Sequence, residues 1–163
     1  MRPWEDRPIE IANLLNPAFC GEVLSRYIRK YEEVSEQSSP YALSFLVLPI
    51  VLHRRTRESI SPSTREQMHV WLQSHQEVRV GFAERAKQMV PITKEAIAFL
   101  LQIGAVAVDE KGGIRPLTFK RRRVESQEGG EVGDCYKKAE TVGRWFARGG
   151  TPTTIYTMWG VRP

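Results

Sequence analysis

The chain has 163 residues, 41% of them hydrophobic and 26% charged, which fits one compact domain with a real core and excludes a disordered or collagen-like chain. The net charge of +5 is local. Residues 1–110 hold 13 Lys/Arg against 14 Asp/Glu, residues 111–124 hold six cations and no acid, residues 125–134 hold four acids, and the remainder is basic again.

Residues 1–15 read as an N-terminal arm in which Ile9, Ile11, Leu14 and Leu15 can lie on a core surface. Residues 16–90 read as the helical part. Asn16-Pro17 is a strong helix start, because Asn caps orphan backbone donors and Pro takes the first helical position without losing a bond. That helix runs to about Val34, with Phe19, Val23, Leu24, Tyr27, Ile28 and Tyr31 on one face. Ser39-Pro40 repeats the device and predicts a second helix, Tyr41 to His53, apolar almost all round and kinked at Pro49. Such a helix sits at the centre of a domain or under a partner. Arg54, Arg55 and Arg57 follow, where a helix C-terminus favours cations.

Ser63-Thr64 is expected to cap a helix through about Ser74, and Glu77 to Val90 forms another, which Gly81 weakens or opens to close approach by a neighbour. Pro91 separates it from the next. In residues 91–119, Thr93 caps a helix whose inner face carries Ala96, Ile97, Leu100, Leu101 and Ile103, and Gly104 ends it. Ala105–Val108, a turn with two glycines, and Ile114–Leu117 then make a two-stranded ribbon. Two helices joined at a proline and followed by a ribbon have the order of a helix-turn-helix with a wing. The expected fold is therefore mainly α with a little β: a helical domain with a winged-helix-like helix-turn-helix and a small β-hairpin wing.

Residues 120–134 read as a long flexible loop. Residues 135–163 read as two C-terminal helices, one to about Ala147 and a short one, Pro152–Trp159, stopped by Gly160.

The search for chemistry is nearly empty. There is no phosphate-cradling GxxxxGK[ST] and no HExxH; His69 and His75 are six apart, His53 is remote, and a zinc site is not expected. Cys20 lies on the apolar side of its helix with no base beside it. Cys20 and Cys135 form no CxxC and read as free thiols of a reducing compartment, although a disulfide stays open. The polar, acid-containing start and the lack of a long apolar run predict a cytoplasmic protein with no membrane partner. No cofactor, metal or catalytic residue is expected.

Two clusters remain. Arg115 and Lys120, Arg121, Arg122 and Arg123 are placed to touch a phosphate backbone without reading sequence. The competing reading is a solvated loop, or one neutralised by its acidic continuation at Glu125–Glu131. The helix before the wing offers Lys94, Glu95 and Gln102 but no arginine, which disfavours base readout. Phe45 and Leu48 in the second helix, with Trp145, Tyr156 and Trp159 near the end, are candidate partner-binding residues. Most of the terminal aromatics are expected to close the core.

Four blocks carry a resemblance: EIANLLNPAFCG, PYALSFLVLPIVLH, VRVGFAERAKQMVPITKEAIAFLLQIGAV and VGRWFARGGTPTTIYTMWGVRP. They resemble the middle component of bacterial three-component ABC systems, grouped with Lamassu-type defence systems. The resemblance implies a non-catalytic accessory subunit of an SMC/Rad50-like ATPase complex in anti-phage and anti-plasmid defence. It implies as partners that ATPase subunit and an effector subunit such as a nuclease, with double-stranded DNA as a non-specific third. The alternative is a free-standing winged-helix DNA-binding transcriptional regulator.

Overall fold

A computed structural model describes residues 15–61, 65–118 and 129–162. Helix α1 is Pro17–Ser35, and the Asn16 side chain accepts from the Phe19 N–H at 2.7 Å, as the sequence predicts. Strand β1, Ser39–Pro40, and a single 3₁₀ turn, Tyr41–Leu43, lead into α2, Ser44–Val51. Helix α3 is Arg54–Ser59 and α4 is Met68–Ser74. A 3₁₀ turn, Gln76–Arg79, precedes α5, Phe82–Gln102. Strands β2, Val106–Val108, and β3, Gly113–Pro116, are followed by α6, Gly130–Arg148, and α7, Pro152–Met158.

Helix α1 is the axis of the fold. It packs along α6 on one side and α5 on another, and α2 sits against α1, α5 and α6. The backbones of α1 and α6 approach so closely that a Cβ on Gly143 would lie 2.6 Å from the Tyr27 carbonyl oxygen. Leu46 to Val51 are all buried, so the apolar second helix is the centre of this domain. It is shorter than expected, because Tyr41–Leu43 winds as 3₁₀ and the helix ends at Val51, with Pro49 inside it.

Three expectations are corrected. The chain does not break at Pro91; α5 runs through it as one helix. Pro91 is exposed, so the carbonyl it leaves without a donor meets water, while Ile92, Ala96, Ile97 and Leu100 hold the flanking turns by burial. The helix-turn-helix expected at Pro91 therefore does not form among the described residues. Gly81 does not serve close packing either: a Cβ there would meet only the Arg85 guanidinium, at 3.9 Å, and the residue turns the chain into α5.

Ser39-Pro40 is also not a helix start. Its backbone is extended and pairs antiparallel with β3, Ser39 against Ile114 and Pro40 against Gly113. The Ser39 hydroxyl is drawn to the Tyr27 hydroxyl at 2.6 Å inside the core. The hairpin of β2 and β3 forms as predicted, and β1 completes a three-stranded sheet in the order β1-β3-β2. At the end of α5, Gly104 is left-handed at φ 68°, with Gly104 N–H donating to Leu101 O and Ala105 N–H to Leu100 O. The Ser63-Thr64 cap lies outside the described residues; the helix there begins at Met68.

No helix among the described residues is long and apolar enough to cross a membrane.

Candidate partner interface

The 3₁₀ turn and α2 put Tyr41 and Phe45 one helical turn apart, and their rings meet edge to face at 5.1 Å and 81°. Tyr41 is 41% exposed and Phe45 is half-buried. Helix α7 brings Tyr156 to the same place, where its hydroxyl donates to the Ala42 carbonyl at 2.7 Å. The Thr151 cap sets the start of α7 by accepting from the Thr154 N–H. Partial burial raises the Tyr156 phenol above its usual pKa, so the hydroxyl stays a donor at any physiological pH. Tyr156 is thereby anchored beside the Tyr41–Phe45 pair, and Phe45 and Tyr156 are among the residues chosen from sequence.

The other three chosen residues face inward. Leu48 and Trp159 are fully buried and Trp145 nearly so. Trp71 stands 4.9 Å from Trp145 and 6.0 Å from Trp159, and Phe82 lies 4.6 Å from Trp159. Each buried indole has a partner: Trp71 donates to Ser59 O, Trp145 to Glu66 O and Trp159 to the Met68 sulfur. These side chains hold α4, α6 and α7 together and are not available at the surface.

Arg115 is exposed on β3, opposite Ala107. Beyond the same strand, Arg29 donates to the Leu117 carbonyl at 3.4 Å and so adds a cation beside its end. Lys120, Arg121, Arg122 and Arg123 lie outside the described residues. Two of the acids that follow them are already engaged. Arg57, 4% exposed, donates to Asp134 at 3.1 Å, to Glu131, and to the Val51 carbonyl at the end of α2. Glu131 and Asp134 are thus drawn toward a buried guanidinium in α3. Sequence reasoning missed this clamp. The one local signal is the i, i+3 spacing of the two acids, which puts both on one helix face.

Cys20 and Cys135 are both free and buried. Burial pushes the Cys20 thiol up to about 12, the opposite of an activated nucleophile. No group of three or more metal-ligating side chains occurs among the described residues. A cleft of about 130 Å³ lies between Glu66, Met68, His69, Arg144 and Arg148. Small-molecule sites generally begin at about 300 Å³.

The described residues form a mainly helical domain with a small three-stranded sheet and partly exposed aromatics at Tyr41, Phe45 and Tyr156. Residues 4–163 match the family described as ABC-three component (ABC-3C) system Middle Component 3, and the chain belongs to that family. It is a component of a three-component ABC system, whose other members include an ABC ATPase. No curated protein and no solved structure matches it.

Proposed function

We propose that this middle component is a non-catalytic accessory subunit, gripped by the ABC ATPase of its system through Tyr41, Phe45 and Tyr156, and that it bridges the ATPase to an effector such as a nuclease. The ATPase is of the SMC/Rad50-like type, and the system is a Lamassu-type defence against phage and plasmids in the cytoplasm. The aromatic surface carries this reading. Rigid aromatic side chains held in place before binding lose little entropy on association and make the anchors that dominate interfaces. The expectation of a partner over the apolar second helix narrows to Tyr41 and Phe45, since the rest of that helix is in the core.

A contact with double-stranded DNA is the second part of the proposal. Arg115 and Lys120–Arg123 supply cations, and the engagement of Glu131 and Asp134 by Arg57 leaves fewer acids to neutralise them. Neutralising phosphates releases counterions, so affinity falls with salt at a slope of about −0.9 per phosphate contact. Changing Arg121, Arg122 and Arg123 together to alanine flattens that slope by about two to three in a DNA-shift salt series. Equal slopes in wild type and variant contradict the DNA contact and leave the protein interface standing. For the assembly itself, co-expression with the neighbouring ATPase and purification through a tag on this chain recovers the ATPase. A chain that purifies alone contradicts the subunit reading.

A further inference from the structure

Helix α6 carries seven charged side chains, and the fold sorts them by sign. Each of its three acids is held by a cation from another helix: Glu131 and Asp134 by Arg57 of α3, and Glu140 by Arg26 of α1 at 3.2 Å. Of its four cations, Lys138 turns inward and donates to the Ile60 carbonyl. The other three, Lys137, Arg144 and Arg148, make no ion pair among the described residues.

The missing pair is most telling at Arg144. Glu140 stands one turn before it, the ordinary spacing of a helical ion pair. That carboxylate is turned instead to α1, and Arg144 donates to the Thr141 hydroxyl at 3.3 Å. Glu66 lines a cleft with Arg144 and Arg148 but pairs with neither, and its buried Oε2 has no hydrogen-bond partner. With 3.6 residues per turn, Lys137, Arg144 and Arg148 fall within about 40° of one another around α6, in a row about 16 Å long. Lys137 and Arg148 are exposed and Arg144 is half-buried. The helix macrodipole accounts for a cation in the last turn, at Arg148, but not for Lys137 near the middle. The row also lacks an apolar anchor: the one large apolar residue exposed on α6, Val132, lies in its first turn on another face. A protein interface draws its energy from such anchors, whereas a phosphate backbone needs only cations.

We infer that this face of α6 lies along the backbone of double-stranded DNA, with Lys137, Arg144 and Arg148 each neutralising a phosphate. One strand presents a charge about every 3.4 Å of duplex axis, so a row of this length runs past several phosphates. No base is read, because the helix rests on the backbone and enters no groove. The inference rests on the DNA contact proposed above and deepens it, adding a helix face to Arg115 and Lys120–Arg123. Arg57 and Arg26 take part indirectly: by holding the three acids of α6 they leave its outward face positive.

The test is binding of the full chain to a linear duplex over a salt series. Lys137→Gln, Arg144→Gln and Arg148→Gln together flatten the slope of log affinity against log salt by about two to three. The charge-preserving set Lys137→Arg, Arg144→Lys and Arg148→Lys restores it. Lys137 is exposed and unpaired, so Lys137→Glu folds normally, and alone it weakens DNA binding at least threefold. That single variant decides the matter if the triple one does not fold. If the wild-type chain binds the duplex and neither the triple variant nor Lys137→Glu changes the affinity or its slope, the inference is wrong, and the contact through Arg121–Arg123 survives. A wild-type chain that binds no duplex refutes both. If the triple variant keeps its DNA slope but no longer recovers the ATPase, the row belongs to an acidic protein surface, which overturns the inference as well.

Discussion

His53 shows how one side chain ties the local fold to pH. Its Nδ1 accepts from the Thr56 backbone N–H and lies 2.8 Å from the Thr56 hydroxyl, which caps α3. A ring nitrogen accepts only when it carries no proton, so the cap needs neutral imidazole. Burial, then Arg85 and Arg55, lower the His53 pKa and favour that same form. A folded-state pKa below the unfolded one means that the contribution is complete above about pH 6.5 and is lost as pH falls through the lower folded value. Thermal melts between pH 7 and pH 5 therefore show a fall in Tm that His53→Asn, which still caps but does not titrate, reduces. Gly143 makes a sharper case. An added methyl there meets the Tyr27 carbonyl at 2.6 Å and the Tyr31 nitrogen at 3.2 Å, both backbone atoms that cannot step aside. Gly143→Ala forces α1 and α6 apart and costs about 2–3 kcal/mol in denaturant titration, the upper part of the range for overpacking. Full retention of stability contradicts the close approach.

At the scale of elements, what could be seen in the sequence was what is encoded locally. The Asn16 cap, the stop at Gly104, and the hairpin turn all depend on residues within a few positions of one another, and all formed where expected. Two of the misreadings were of proline, and Thr93, expected to cap a helix, lies buried inside α5. Pro40 looked like a helix start, but its partner is Gly113, far along the chain, and no local pattern announces that pairing. Pro91 looked like a boundary, but the burial of Ile92, Ala96, Ile97 and Leu100 outweighs one missing hydrogen bond at an exposed position. If that is the balance, the proline is a tolerated cost. Pro91→Ala then restores the bond and stabilises the chain by about 1–3 kcal/mol in the same titration. A loss of stability shows instead that the helix depends on a proline-set bend.

For the whole molecule, the candidate site was half legible. Phe45 and Tyr156 were chosen for their chemistry, and both are partly exposed, Phe45 against the Tyr41 ring and Tyr156 bonded to the Ala42 carbonyl. Leu48, Trp145 and Trp159 have the same chemistry but point inward, because aromatic content alone does not distinguish a core wedge from an interface anchor. Only packing decides that, through contacts such as Phe82 on Trp159. The Arg57 clamp was invisible for the same reason, since it joins distant parts of the chain. The central claim concerns the aromatic surface and is tested by titrating the purified ABC ATPase with wild-type chain and with a Tyr41→Ala, Phe45→Ser double variant. Both side chains are partly exposed, so the melt of the variant stays close to wild type. Truncating two aromatic anchors costs at least 2 kcal/mol of binding, roughly a thirtyfold rise in Kd. An unchanged Kd in a variant that is fully folded contradicts the claim that the ATPase grips this surface.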